Sequence, residues 1–316
     1  MDCITNCDVL QEVSSTGREQ PWREHKMSNE LLSKAYLEVD LSKSERLKNC
    51  ATELSFNVLS DGTKKLRTAN FCRVRLCPMC GWRRGLKVFA HTKAIMDAIN
   101  SEKELSYILI TLTCKNVPGE ELGITIDNML SAWQRFVESK RVKQAIKGFY
   151  RGMEITHNID FKSKDYDTFH PHFHCVFAVN PSYFKKSDYL TQDEWTSLWK
   201  RSMRLDYTPI VDVRRIKGST AEAVSEVAKY AVKSSDYIIP EDWDLTIDTV
   251  RLLDKVLNKR RFVAYGGIFK EWHKKLNLDD EQDGDLVHLD STPDTEEPVS
   301  KVWYSWNTGY NQYIKK

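Results

Sequence analysis

The sequence has no apolar run long enough to cross a membrane, which excludes a protein held in a bilayer by spanning helices. Its first residues, Met1-Asp2-Cys3-Ile4-Thr5-Asn6-Cys7-Asp8, lack the basic stretch and apolar segment of a secretory leader, so the expected location is cytoplasmic. In that reducing compartment a disulfide framework is excluded, and the eight cysteines are expected to be thiols or metal ligands. No internal repeat is visible, which excludes a repeat architecture. Net charge is also scarce, at +2, but it is unevenly spread. Residues 279–300 hold nine Asp and Glu and no Lys or Arg, leaving 47 basic against 36 acidic side chains elsewhere. Such a body attracts a polyanion, and the acidic segment is repelled by one.

What remains is a chain of 316 residues, 41% hydrophobic and 29% charged, long enough for one large domain or two modest ones. Residues 1–30 are polar and aperiodic and read as a flexible tail. Residues 31–100 read as a cysteine-rich, zinc-binding segment, with a short charged helix at 31–48, a turn at Asp61-Gly62 and a helix at 82–100. The main domain is expected over 101–278. Tyr107-Ile108-Leu109-Ile110-Thr111-Leu112-Thr113 has strand composition, and further strands are expected at 149–157, 172–179 and near 210–213. Helical spacing covers 124–147, with Ile126, Met129, Leu130, Trp133, Phe136 and Val137 on one stripe, and returns at 191–204 and 220–235. Ser219-Thr220-Ala221-Glu222 offers a capping box to the last of these. Residues 243–278 read as helical, interrupted at Tyr265-Gly266-Gly267, and 279–316 as an acidic tail. The fold class this predicts is α+β, a sandwich around a central sheet.

The segment His170-Pro171-His172-Phe173-His174-Cys175-Val176-Phe177 carries the most chemical information. On a strand, side chains at i and i+2 share a face, with Cα atoms about 7 Å apart. His172 and His174 therefore point together, while Phe173, Cys175 and Phe177 turn to the other side, towards a core. His170 has the same parity, but Pro171 donates no ladder hydrogen bond and marks the strand entry. Glu154, in Gly152-Met153-Glu154-Ile155-Thr156 on the preceding strand, is the third ligand by position. Two imidazoles and a carboxylate leave coordination positions open for a phosphate oxygen, which suits Lewis-acid chemistry by Mg or Mn. The competing reading is a histidine pair that hydrogen-bonds structurally.

On the helix at 220–235, Glu226, Tyr230, Lys233 and Tyr237 are spaced by four, three and four and share one face. Val224, Val227, Ala228 and Ala231 form the opposite, core-facing stripe. Tyr230 beside a metal-bound phosphate can attack phosphorus, Glu226 can activate a water, and Lys233 can neutralise developing charge. A solvated face with an ordinary salt bridge is the alternative.

Cys77-Pro78-Met79-Cys80 is a two-residue knuckle, with Cys72 five residues before it and Cys50 22 residues before that. Four thiolates so spaced can close a tetrahedral structural zinc site, which a small loop-rich unit needs for stability. Arg73, Arg75, Arg83, Arg84 and Lys87 surround the cluster, and Trp82 offers a stacking surface, so the unit either touches a DNA backbone or merely braces the fold.

Taken together, these segments resemble the HUH endonucleases, in particular the replication initiators of Gram-positive rolling-circle plasmids. Ile110-Thr111-Leu112-Thr113 is similar to the first motif, the histidine strand to the second, and Glu226-Val227-Ala228-Lys229-Tyr230-Ala231-Val232-Lys233 to the third. Phe71 to Arg84, with its cysteines, also resembles this family, and the likeness runs from about residue 45 to 275. The resemblance implies a central antiparallel sheet flanked by helices, Tyr230 as nucleophile, and Glu226 as the group that terminates the reaction. His172 and His174 become metal ligands, and Lys229 joins the DNA-contacting residues. The implied substrate is single-stranded or extruded DNA at a plasmid origin, with a 5′ phosphate kept on tyrosine and a 3′ hydroxyl released as primer. Implied partners are a host helicase and the replication machinery. Tyr237 lies seven residues beyond Tyr230, the wrong spacing for a second nucleophile, and reads as structural. The alternatives are a relaxase or transposase of the same type, or a catalytically silent zinc-containing DNA-binding regulator. The acidic segment reads equally as a flexible tail, a DNA mimic or a docking site.

Overall fold

The computed structural model describes residues 9–13, 19–185, 188–217, 221, 224, 232–289 and 297–316. The chain divides into two compact units. The first comprises Met1–Lys87, Tyr237–Lys255 and Asp283–Lys316, and the second Val88–Asp236 and Val256–Gln282. No helix among the described residues is long and apolar enough to cross a membrane.

In the first unit, helices α1 (Trp22–Ala35) and α2 (Leu41–Asn49) precede the hairpin of β1 (Glu53–Val58) and β2 (Lys64–Ala69). Asp40 caps α2 by accepting a hydrogen bond from the Lys43 amide. Strands β9 (Ser300–Asn307) and β10 (Gln312–Lys315) complete an antiparallel sheet of order β10-β9-β1-β2. The core is aromatic. Trp22 meets Trp82 edge-on at 4.7 Å and Phe56 at 6.0 Å, while Phe56 meets Tyr304 at 5.9 Å. Rings in such geometry gain about 0.5–1.5 kcal/mol per pair beyond the area they bury.

Two expectations fail here. Residues 22–30 are not part of a flexible tail: they open α1, because Trp22 and Lys26 are buried. A single tryptophan in a polar stretch leaves no periodicity to detect. Nor are residues 300–316 an acidic tail, since Tyr304 and Tyr313 anchor two strands in the core. The pairing of β1 with β9 is non-local, so neither strand is legible from its own neighbourhood.

The second unit is built on an antiparallel sheet of order β7-β3-β6-β5-β8. Its strands are β3 (Ser106–Thr113), β5 (Ile146–Asn158), β6 (Thr168–Val179), β7 (Val211–Arg215) and β8 (Val263–Gly267), and the short β4 (Val117–Pro118) pairs with the start of β6. One face is packed by α4 (Gly119–Glu138), which the short α5 (Lys140–Ala145) follows, and by α6 (Gln192–Met203). Phe136 meets Phe177, Trp195 and Trp199, and Trp133 meets Phe149 and Phe173. The capping box predicted near residue 219 lies outside the described residues, but α6 has one, in which Thr191 and Glu194 exchange hydrogen bonds. On the other face, Val88, Ile95, Met96 and Ile99 of α3 (Pro78–Glu102) cluster with Tyr107, Leu109, Tyr150, Val176 and Ala178.

The predicted helix at 243–278 is in fact α7 (Trp243–Leu257), strand β8 and α8 (Ile268–Lys275). Tyr265-Gly266-Gly267 is thus an edge strand, not an interruption. A Cβ on Gly266 would sit 2.2 Å from the Phe149 ring, and Gly267, at φ +53°, would meet the Lys147 carbonyl at 2.3 Å. Only glycine lets β8 approach β5 so closely. Of the predicted helix at 220–235, Ala221 and Val224 are helical, and Val224 is buried in the cluster with Val88 and Tyr107.

Candidate functional site

The period of two along β6 builds the site. Odd-numbered residues Phe173, Cys175 and Phe177 are fully buried, with Phe173 and Phe177 packed on the rings of α4 and α6. Even-numbered Val176 and Ala178 belong to the cluster beneath α3. Continue along that second face towards the start of the strand and the next residues are His174 and His172. Glu154 lies opposite His172 in the β5–β6 register, and Thr111 lies opposite His174 in the β3–β6 register. Three central strands therefore meet in one polar patch at the end of an apolar face.

There, Glu154 Oε2 is 2.9 Å from His174 Nε2 and 3.3 Å from His172 Nε2. Donor atoms of all three residues lie within 4.8 Å of one another, an arrangement that could hold a metal ion. The other ring nitrogens are turned away. His172 Nδ1 donates to the His170 carbonyl at 3.1 Å, and His174 Nδ1 lies 3.4 Å from the Thr111 hydroxyl. Such outer partners orient the rings so that both Nε2 atoms converge on Glu154. Burial disfavours the charged Glu154 carboxylate, but hydrogen bonds from both histidines outweigh it and hold the group well below the usual carboxylate range. The donor set, two imidazole nitrogens and one carboxylate oxygen, thus fits a divalent ion.

Lys233 Nζ is 3.4 Å from Glu154 Oε1, so its half-exposed ammonium borders the cluster. Tyr230, Glu226 and Lys229 lie outside the described residues. Tyr237 is buried and donates to the Leu76 carbonyl at 2.5 Å, the structural role its spacing suggested.

Three residues were missed in the sequence. Thr111 and the His170 carbonyl orient the two histidines, and cross-strand register was the only signal for the first. Asp236 is the third: its Oδ2 is buried with no hydrogen-bond partner, and burial raises its pKa.

The second grouping is Cys50, Cys72, Cys77 and Cys80, whose sulfurs lie within 4.8 Å of one another. The sulfur–sulfur separations are 3.6 Å for Cys77–Cys50, 3.7 Å for Cys50–Cys80 and 3.8 Å for Cys72–Cys80. Four sulfurs on a tetrahedral ion with metal–sulfur bonds of about 2.3 Å stand about 3.8 Å apart, so the cluster has the size of a metal tetrahedron. Backbone amides of Cys72, Arg73 and Cys80 point at its sulfurs, and buried Lys26 places its ammonium on the Cys50 carbonyl. These donors are placed to offset the negative charge that thiolates on an ion would carry. Cys114 and Cys175 are buried and belong to no such group among the described residues.

The structure corrects the proposed DNA contacts near this cluster. Trp82 is buried, stacked on His25 and edge-on to Trp22, so it presents no face to a base. Arg83 is also buried, with its guanidinium on the carbonyls of Leu286 and Val287. Lys87 and exposed Arg73 bond the carbonyls of Asp285, and of Asp283 and Gly284. The start of the acidic segment is thus a docked strap whose backbone oxygens occupy basic side chains. Arg84 bonds the carbonyls of Arg73 and Val74, and Arg75 is half-buried.

An antiparallel sheet with two histidines and a glutamate converging at one end, in a chain that also carries a four-cysteine cluster, defines an α+β protein with two candidate metal centres. Comparison with known proteins gives the class its family. Residues 63–314 match the replication protein family, and this chain belongs to it. It is 40% identical to a "Protein rep" of Bacillus amyloliquefaciens over 98% of this chain and 97% of that one. A "Protein rep" of a Bacillus species is 44% identical, over 78% of this chain and 85% of that one, and one of Streptococcus pneumoniae is 33% identical over 98% and 96%. No solved structure matches. The resemblance to rolling-circle plasmid replication proteins is borne out.

Proposed function

We propose that this protein initiates and terminates rolling-circle replication of a plasmid by nicking and rejoining one DNA strand at the origin. The observation that carries the reading is the convergence of His172, His174 and Glu154 on one point at the end of the sheet, in a member of the replication protein family. A divalent cation, Mg or Mn, held by these three residues would act as a Lewis acid on a phosphodiester oxygen. Tyr230 supplies the nucleophile: its phenolic oxygen bonds phosphorus, the bond from phosphorus to the 3′ oxygen breaks, and the 3′ oxygen takes a proton. The products are a 5′-phosphotyrosine and a free 3′ hydroxyl that primes synthesis by the host machinery, opened ahead by a host helicase. The phosphotyrosine ester conserves the bond's free energy, so rejoining to a 3′ hydroxyl needs no nucleotide cofactor. Lys233, at the edge of the cluster, is suited to neutralise charge on the phosphate. The deciding experiment incubates the protein with supercoiled plasmid carrying its own origin and maps both the nick and the protein–DNA adduct. Binding without either product would make it a DNA-binding regulator.

Glu226 ends the cycle in this scheme. Water is a poor nucleophile without proton removal, and a positioned base contributes about 10²–10⁴-fold. Glu226→Ala is therefore expected to nick at nearly the normal rate but to release multimeric single-stranded products in place of monomeric circles. Normal monomer release would reassign the terminating role.

The four-cysteine cluster takes zinc in this reading and serves as a structural staple. Cys77→Ser is expected to lose about one equivalent of tightly held zinc and to unfold at lower temperature, since a structural site's binding energy is folding energy. Elemental analysis and thermal unfolding check this; unchanged zinc content would refute it.

A further inference from the structure

Beyond these two centres, the second unit contains another convergence of metal-ligating side chains, among His91, His273 and Glu281. They come from α3, from α8 and from the segment that follows α8. Glu281 Oε1 is 2.9 Å from His91 Nδ1 and 2.8 Å from His273 Nε2, and the ligand atoms lie within 4.8 Å of one another. The pattern is that of the Glu154 cluster: two imidazole nitrogens aimed at one oxygen of a buried carboxylate.

We propose that this cluster is a further metal site, taking a divalent transition ion of the zinc type. Three observations support it beyond proximity. Glu281 is 5% exposed and His91 2%, so the donors sit where a bare charge is costly and an ion with anionic and imidazole ligands is stable. His91 Nε2 faces Asp279 Oδ1 at 3.6 Å. With Nδ1 on an ion, the single N–H of the ring is directed at that carboxylate, the usual outer partner of a metal-bound histidine. Finally, the Tyr265 ring lies against His273, with centroids 5.1 Å apart, and its hydroxyl is 3.0 Å from Thr92 Oγ1, which steadies one ligand ring from a second side.

The neighbouring charge distinguishes this site from the Glu154 centre: there the Lys233 ammonium borders the carboxylate, whereas here the Asp279 carboxylate faces His91. An anionic neighbour repels a DNA phosphate, so the ion here serves as a brace. It ties the first acidic residues after α8 to the middle of α3, and a site assembled from three separate segments removes more chain freedom than any one contact. That also accounts for acidic residues of 279–281 folding back on the protein.

The test counts ions on the full-length protein, with Zn²⁺ as the probe and elemental analysis after removal of excess. Wild type is expected to hold about three equivalents. The double variant His273→Asn/Glu281→Gln is expected to hold about two, and His172→Ala/His174→Ala also about two, each having lost a different ion. If His273→Asn/Glu281→Gln holds as many as wild type, the proposal is overturned. Because that variant tests an altered core, a second measurement leaves the cluster intact: Co²⁺ added to His172→Ala/His174→Ala. The cysteine site gives intense thiolate charge-transfer absorption, and the proposed site should add a weaker visible band without it. Saturation of all Co²⁺ binding by the thiolate spectrum alone would equally overturn the proposal. Neither result depends on whether Tyr230 nicks DNA.

Discussion

Tyr230→Phe is expected to abolish both nicking of origin DNA and formation of the covalent adduct, by on the order of 10³-fold or more, with folding and DNA binding intact. The substitution removes only the phenolic oxygen. In the proposed scheme the 5′ phosphate is held on that oxygen, so cleavage and rejoining vanish together. The check is a denaturing gel of end-labelled origin DNA after incubation with each protein. An adduct on the variant would sink the assignment. It could not simply pass to Tyr237, whose ring is buried and whose hydroxyl is committed to the Leu76 carbonyl.

The second large effect concerns the ion. His172→Ala or His174→Ala is expected to lower nicking by about 10³-fold, because stabilisation of transition-state charge by a bound metal amounts to several kcal/mol. Binding to origin DNA should change little, since His172 and His174 contact Glu154, the His170 carbonyl and Thr111 and not the apolar core. Chelation of the wild type should reproduce the loss, and added Mn should restore it only where both histidines are present. Glu154→Ala should lose less, as water can replace one carboxylate ligand, but it also strips Lys233 of its partner. Single-turnover nicking in limiting Mn measures all three; a histidine variant of normal rate there would exclude the site.

Local pattern was enough for much of this. Alternation along β6 separates His172 and His174 from Phe173, Cys175 and Phe177, and it needs no knowledge of neighbouring strands. The stripe of α4 and the spacing of Cys50, Cys72, Cys77 and Cys80 are legible for the same reason: each is a periodicity or spacing within a short stretch. Glu154 was assignable only by position on the preceding strand.

What depended on pairing or docking was hidden. The β1–β9 ladder joins segments from opposite ends of the chain, so the C-terminal strands looked like a tail. Basic residues beside the cysteines looked like a DNA surface, because composition records charge but not whether a backbone carbonyl already meets it, as for Arg83. Thr111 reached His174, and Glu281 reached His91, through cross-strand register and a returning segment. Side-chain chemistry and short-range period were thus determined by the sequence itself. Which of those side chains face each other, and which are buried, only the tertiary structure decided, because a strand's or helix's partner is chosen by the collective burial of apolar surface along the whole chain.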